Sequence, residues 1–220
     1  MLIVKSISVN IGNKNILSNI SFSASKGINV ILGPNGSGKT TLLKAIIGMM
    51  KYKGEIIING SVSFVPAEFF SPKMKVIDVI MSGRKRANYY YFIKELNLIE
   101  FLDRDFSTLS SGEKKLVLIS KALAEGENVI MDEPLSNLDI KNRFNIMRIL
   151  RKFDKTFLIT SHELEVLRYA DKVIIINKGQ LKYDGSISDL SEDVLYDAYG
   201  IKFKKIKIDD EVFFKPEVSL

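Results

Sequence analysis

The sequence contains no cysteine, no tryptophan and a single histidine, His162. Without cysteine the chain can form no disulfide and can use no thiol in catalysis or metal binding, which fits a reducing compartment. No run of apolar residues reaches the roughly eighteen that a membrane span needs, and the start, Met1–Ser6, lacks the apolar core of a signal peptide. We therefore expect a soluble globular protein.

The overall composition is ordinary for such a protein. The chain has 220 residues, of which 46% are apolar and 26% are charged, enough for a substantial core in one domain. The 32 basic residues exceed the 26 acidic ones and give a formal net charge of +6. This excess is compatible with an anionic ligand, a membrane surface or a lysine-rich solvated face, and it identifies none of them.

One glycine-rich stretch matches the pattern G-x-x-x-x-G-K-S/T, which is typical of phosphate-binding loops. An apolar run at 28–32 precedes it, and apolar residues at helical spacing follow it as far as Gly48. Because glycine has no Cβ, the loop can curl around a polyphosphate and direct its N–H groups inward. We expect Lys39 to reach the β- and γ-phosphates and the Thr40 hydroxyl to ligate Mg²⁺. The predicted nucleoside triphosphate site consists of Gly33, Pro34, Asn35, Gly36, Ser37, Gly38, Lys39, Thr40 and Thr41.

The periodicity of apolar residues predicts an α/β fold. Residues 2–9 and 16–22 alternate like strands around a turn at Gly12–Asn13, which predicts an N-terminal hairpin. From Pro66 to Gly126 helical periodicity replaces the strand signals. The other predicted strands are 28–32, 55–59, 61–65, 129–131, 156–160, 173–176 and 180–183, with helices at 140–152 and 163–169 and two late strands within 201–214. Alternating strands and helices imply a mainly parallel sheet with helices on both faces.

We expect these elements to form a single domain, 1–220. Its α/β core comprises 1–65 and 126–200, a helical subdomain occupies 66–125, and 201–220 form a C-terminal tail.

A second motif places two carboxylates after an apolar strand. The segment 129–131 is followed by Asp132, Glu133 and Pro134. At the tip of a parallel strand beside the phosphate loop, Asp132 can hold Mg²⁺ through its water shell, and Glu133 can act as general base on an attacking water. The alternative is an ordinary surface turn, because Asp-Glu-Pro is also a common strand ending.

The segment Leu109–Glu113, which lies before Asp132 and Glu133, resembles the LSGGQ signature of ATP-binding cassette (ABC) ATPase subunits and departs from it at Ser111 and Glu113. The resemblance covers nearly the whole chain. It implies a P-loop NTPase (RecA-like) core with a mainly parallel sheet, an N-terminal antiparallel β subdomain and an inserted helical subdomain. It also implies hydrolysis of ATP with Mg²⁺ as cofactor.

In the family the signature binds the γ-phosphate of an ATP held by the opposite subunit. The resemblance thus implies a nucleotide-dependent dimer of two ATPase subunits, here a homodimer, in which Ser110, Ser111, Gly112 and Glu113 contact the nucleotide. A helix start with free N–H groups suits that role. The same four residues also form an unremarkable helix N-cap.

Two further segments resemble family motifs. Ser136–Asp139 resembles the D-loop, which runs along the dimer seam, and Thr160–His162 resembles the H-loop. The resemblance implies that His162 is catalytic: its neutral imidazole would contact the γ-phosphate and orient Glu133 and the water.

Two positions depart from the family pattern. Ile11 stands where the family has an aromatic residue that stacks on adenine, which predicts relaxed base selectivity. Ala67 stands where the family has a glutamine that touches Mg²⁺ and the attacking water, and Glu68 follows it. Either Glu68 replaces that glutamine or hydrolysis is impaired.

Three segments resemble ATPases of iron–siderophore, haem and cobalamin importers: Asp78–Arg84, Leu138–Ile140 and Leu195–Ile201. This implies a peripheral subunit on the cytoplasmic face of the membrane that powers import of a metal chelate or cobalamin. Transmembrane permease subunits would dock near residues 66–86, where Arg84, Lys85 and Arg86 are basic. The other subunits would choose the cargo.

Two alternatives come from other functional classes. The first is a soluble ABC ATPase acting on nucleic acid or the ribosome, although such proteins usually carry paired cassettes or long insertions, and we expect no direct contact with nucleic acid. The second is a nucleotide sensor with little turnover, suggested by Ala67 and Ile11. A P-loop kinase is disfavoured, because it would not call for Leu109–Glu113.

Overall fold

The computed structural model describes residues 1–84, 87–209 and 211–217, so Lys85 and Arg86 of the predicted docking segment lie outside the described residues. The strands are β1 (Leu2–Ile11), β2 (Lys14–Ala24), β3 (Gly27–Leu32), β4 (Lys53–Ile58), β5 (Val62–Val65), β6 (Asn128–Met131), β7 (Thr156–Ser161), β8 (Lys172–Asn177), β9 (Gln180–Gly185), β10 (Phe203–Ile208) and β11 (Glu211–Pro216). The α-helices are α1 (Lys39–Ile46), α2 (Val76–Met81), α3 (Tyr89–Glu95), α4 (Ser111–Glu125), α5 (Ile140–Leu150) and α6 (Glu192–Tyr199), and short 3₁₀ helices span Ile99–Phe101, Phe106–Thr108 and Leu164–Tyr169.

A mainly parallel sheet forms the centre of the fold. Its strand order is β5-β6-β7-β3-β8-β9, in which the first five strands are parallel and β9 pairs antiparallel with β8. The predicted α/β class is confirmed. Because parallel strands end at the same edge, the residues that follow β3, β6 and β7 meet there, and this edge is where open α/β sheets bind ligands.

The two faces of this sheet are covered differently. Alternate side chains of β3 point to opposite faces: Val30 joins a core formed with α2, α3, α4, α5 and α6, and Ile31 joins a core formed with α1, β1 and β2. The second face therefore packs against an antiparallel sheet of order β2-β1-β4 and against helix α1. The sequence predicts helices on both faces, and on this face the only one in the described core is α1. This arrangement holds the phosphate loop between the two sheets.

Gly60 separates two strands that enter different sheets. β4 pairs antiparallel with β1, whereas β5 pairs parallel with β6. Gly60 has a φ of 87°, a conformation that glycine adopts without strain, so the chain can turn here from one sheet to the other.

Some predicted boundaries differ from the structure. The helix predicted at 163–169 is a 3₁₀ helix, Leu164–Tyr169, enclosed between extended Glu163 and Ala170. A segment this short satisfies its carbonyls with i→i+3 bonds more readily than with α-helical ones. The helix predicted at 140–152 ends at Leu150. The two late strands, β10 and β11, pair as a hairpin. Among the described residues no helix is long and apolar enough to cross a membrane.

Candidate functional site

The phosphate loop joins β3 to α1 and needs glycine at two of its positions. A Cβ at Gly33 would lie 2.0 Å from the carbonyl oxygen of Ile176, and one at Gly38, where φ is 106°, would lie 2.6 Å from Cδ2 of Leu17. Gly38 is also the N-cap of α1 and supplies no side-chain acceptor. The first N–H groups of α1 are therefore left to bind an anion.

Lys39 is buried inside the loop. Its Nζ donates to the carbonyl oxygens of Gly33 at 2.7 Å and Pro34 at 3.0 Å. Burial lowers the pKa of Lys39, and the nearby carboxylates of Glu133 and Asp132 oppose that effect. The predicted lysine and the two predicted carboxylates are thus brought together by the fold.

The hydroxyl groups of the loop also fit a phosphate ligand. The Ser37 Oγ is buried, and it has no hydrogen-bond partner within the described part of the chain. A buried hydroxyl without a partner costs free energy, and a phosphate oxygen would satisfy it. Thr40 is exposed at the first turn of α1, and Thr41 is half-buried behind it.

The two carboxylates are held by one threonine. The Thr160 hydroxyl donates to Asp132 Oδ1 at 2.6 Å and accepts from the Glu133 N–H at 2.9 Å. Glu133 has a φ of 43°, an unfavourable conformation for glutamate that these contacts stabilise. His162 Nδ1 lies 3.1 Å from Glu133 Oε1. Thr160 and His162 reach the carboxylates because β7 lies beside β6 in the sheet, and β3, which leads into the phosphate loop, lies on the other side of β7.

The sequence did not predict the contact that Thr160 makes here, nor the presence of Lys115. It placed Thr160 in a motif with His162 but did not foresee that its hydroxyl joins Asp132 to Glu133; the signal was a threonine near the end of an apolar strand. It also missed Lys115, a buried lysine of α4. The signal was its position one helical turn before Ile119, on the apolar face of the helix.

The signature-like residues cap α4. Ser110 Oγ accepts from the Glu113 N–H at 3.3 Å, and Glu113 Oε2 accepts from the Ser110 N–H at 2.7 Å, which together form a capping box. The Ser110 N–H lowers the pKa of Glu113, and Arg104, 3.8 Å away, adds to the effect. Ser111 and Gly112 form the first turn. Within the described residues no hydrogen bond joins Ser110 or Glu113 to the phosphate loop of the same chain.

The two residues that depart from the family pattern lie at or just beyond the ends of strands. Ile11 ends β1 and is 51% exposed, so it offers an apolar but not an aromatic surface. Ala67 follows β5 and is half-buried, and Glu68 beyond it is exposed.

Comparison with known proteins identifies the family. The sequence profile of the ABC transporter family matches residues 17–136, more than half of the chain. The chain belongs to the ABC transporter family. The matched region includes the phosphate loop, the signature-like segment and both carboxylates of this ABC protein. The family resemblance is confirmed, and membership makes the chain an ATPase that uses ATP.

Relatives match the ABC chain along most of its length. An uncharacterized ABC transporter ATP-binding protein of Methanocaldococcus jannaschii is 33% identical over 86% of this chain and 87% of that protein. A hemin import ATP-binding protein of Ruegeria is 30% identical over 97% of this chain and 96% of that protein. An inward-facing structure of a metal-chelate type ABC transporter superposes with a TM-score of 0.86, at 26% identity, over 99% of this chain and 97% of that one.

Proposed function

We propose that this ABC ATPase powers a membrane importer whose cargo is a metal chelate, haem or cobalamin. The ATPase part rests on one observation: Lys39, Asp132, Glu133 and His162 lie together at the carboxyl edge of the sheet. The importer part is supported by the likeness to the hemin import protein and to the metal-chelate type transporter. The resemblance of the Asp78–Arg84 segment to ATPases of such importers also supports it.

The phosphate loop supplies the binding contacts. Its N–H groups and Lys39 bind the β- and γ-phosphates of ATP, and the free Ser37 hydroxyl donates to a phosphate oxygen. Thr40 and Asp132 would hold Mg²⁺, which neutralises phosphate charge when bound. Asp132 uses Oδ1 for Thr160 and keeps its other oxygen as an acceptor. Among the described residues no three acidic or histidine side chains cluster as a metal site, which suits Mg²⁺, since it takes most of its ligands from water and phosphates.

Glu133 acts as general base in the hydrolysis. It removes a proton from the attacking water, a bond forms between the water oxygen and the γ-phosphorus, and the bond to the β–γ bridging oxygen breaks to give ADP and phosphate. His162 orients the carboxylate through the contact between Nδ1 and Oε1. The Thr160 bond to the Glu133 N–H fixes the backbone from which that carboxylate extends.

The signature-like residues complete the site from a second subunit. Ser110 accepts a hydrogen bond from the Glu113 N–H, and its exposed hydroxyl can rotate to donate its proton to a γ-phosphate. Ser110 and Ser111 are exposed at this helix start and Gly112 is buried behind them, an arrangement suited to an anion. We therefore propose a homodimer in which each copy of the domain, 1–220, closes on the ATP of the other.

The loop after β5 and helix α2 form the proposed permease contact within residues 66–86. Three large apolar side chains are exposed there: Phe70, which is 85% exposed, Met74 and Met81. We take these side chains as the apolar part of that contact, because large exposed apolar patches mark protein interfaces. Here the helical subdomain, 66–125, would receive the membrane subunits and place the protein on the cytoplasmic face of the membrane.

Substitution of the base tests this function. Glu133→Gln should bind ATP but not hydrolyse it, so that light scattering detects an ATP-dependent dimer and phosphate release falls about 10²- to 10⁴-fold. Glu127→Gln, at the other end of β6, is the control and should behave as wild type. Wild-type turnover by Glu133→Gln would reject the assignment. Copurification with ribosomes or DNA instead of membrane subunits would favour the soluble alternative.

A further inference from the structure

Lys115 is a buried cation that the proposed mechanism does not use. It lies on α4 and is 4% exposed. Its Nζ donates to the carbonyl oxygens of Ala67 at 3.1 Å and Pro66 at 3.4 Å, and it lies 5.5 Å from the centre of the Phe69 ring. Burying an ammonium group is costly, so these contacts must stabilise it.

The catalytic carboxylates lie within electrostatic reach of the same ammonium group. Burial lowers the pKa of Lys115, and Asp132 and Glu133 oppose that effect. These two carboxylates act on Lys39 in the same way. The backbone also places the start of the next loop beside this pair, because the Asp132 N–H donates to the carbonyl oxygen of Val65, the residue before Pro66, at 2.9 Å.

The residues that Lys115 holds are the first residues of a long loop. Residues 66–75 connect β5 to α2 and, among the described residues, contain no helix or strand beyond an isolated bridge at Lys75. The Ala67 side chain can make no hydrogen bond. The hydrogen bond between this position and α4 is therefore made by the Ala67 backbone carbonyl, which accepts from Lys115.

We infer that Lys115 is a positioning residue for ATP hydrolysis: by binding the carbonyls of Pro66 and Ala67 it fixes the start of loop 66–75 beside Asp132 and Glu133. Ala67 stands where ABC ATPases have a glutamine. In this chain Lys115 of α4 holds the backbone at that position. The inference rests on the proposed roles of Asp132 and Glu133.

Lys155 provides a matched control. Its Nζ donates to the Gly126 carbonyl oxygen at 2.6 Å and lies 5.5 Å from the Phe92 ring centre. Burial lowers the pKa of Lys155 as well, with Glu127 opposing. Lys155 thus has the same kind of surroundings at the other end of α4, away from the carboxylates.

The test compares Lys115→Met, Lys115→Gln and Lys155→Met in the full chain. Hydrogen exchange without nucleotide should show faster exchange of the amides at 67–70 in Lys115→Met. Its kcat for ATP should fall about tenfold or more with KM within twofold, because the loop and not the phosphate contacts is displaced. Lys115→Gln should lie between wild type and Lys115→Met in both measurements, because its amide can reach one carbonyl. Lys155→Met should leave kcat and exchange at 67–70 unchanged.

Wild-type kcat and wild-type exchange in Lys115→Met would overturn the inference. So would a loss of kcat or of exchange protection in Lys115→Met that is no larger than the loss in Lys155→Met at the same decrease in melting temperature. If Lys115→Met does not fold, Lys115→Gln decides: it must still show faster exchange at 67–70 and a lower kcat. Glu133→Gln separates the two proposals. If that variant keeps turning over ATP, the proposed mechanism fails, while exchange at 67–70 still reports whether Lys115 holds the loop.

Discussion

Replacing Thr160 by valine removes the hydroxyl that joins Asp132 and Glu133, the two carboxylate residues with proposed roles in hydrolysis. Thr160 is fully buried, and valine has nearly the same shape, so the substitution opens no cavity. It does remove the donor to Asp132 Oδ1 at 2.6 Å and the acceptor for the Glu133 N–H at 2.9 Å. Each group loses a partner in a place where water has little access.

The magnitude follows from these two bonds. A hydrogen bond to a charged group contributes about 1.5–3 kcal/mol, and a buried N–H without a partner costs about 1–3 kcal/mol. The free energy of unfolding should therefore fall by about 2.5–6 kcal/mol. For a chain of this size each kcal/mol lowers the melting temperature by about 2–4 °C, so we expect a decrease of roughly 5–24 °C. Release of the Glu133 backbone should also lower kcat.

Calorimetry and a phosphate-release assay measure the two effects. Thr156→Val is the matched control, because Thr156 is buried on the same strand, four residues earlier and at its opposite end. It should change kcat little. If Thr160→Val melted within 2 °C of wild type, by the same scale of about 2–4 °C for each kcal/mol, and kept its kcat, the hydroxyl would not hold the carboxylates and the reasoning would be refuted.

Three further substitutions test other parts of the site. Lys39→Ala should weaken ATP binding at least about 100-fold in titration calorimetry, since it removes charge-assisted bonds to two phosphates. Glu113→Gln should be less stable than wild type at neutral pH. Because the folded-state pKa of Glu113 is below its ordinary 4.5, its contribution is complete above pH 4.5 and is lost as the pH falls through the folded-state pKa, so the difference in unfolding free energy should shrink in acid. Ile11→Tyr should tighten ATP binding about 5- to 150-fold by stacking on adenine, and should increase the preference for ATP over other nucleotides.

Each of these predictions has a contradicting result. Unchanged ATP affinity in Lys39→Ala would remove that lysine from the phosphate site. A stability difference for Glu113→Gln that is the same at pH 7 and pH 3 would show that the carboxylate charge does not support the capping box. If Ile11→Tyr increased the affinity for ATP and for a pyrimidine triphosphate equally, the tyrosine ring would not stack on the base.

The sequence alone determined the parts of this protein that are contiguous in the chain. The spacing of Gly33, Gly38, Lys39 and Thr40 identified the phosphate loop, because its geometry depends on local backbone freedom and on the helix that follows. The apolar run before Asp132 and Glu133 located the carboxylates for the same reason. Alternating elements then predicted the mainly parallel sheet, since few topologies satisfy that pattern.

The tertiary structure decided which distant residues meet. Thr160 joins Asp132 across 28 residues, and this contact exists because β7 lies beside β6 in the sheet. Lys115 reaches the carbonyl of Ala67 across 48 residues, because α4 packs over the end of β5. Strand order and helix packing follow from how the whole core is buried, and no local pattern encodes them. The sequence therefore identified the phosphate loop and the carboxylates, and only the folded chain showed what holds them in place.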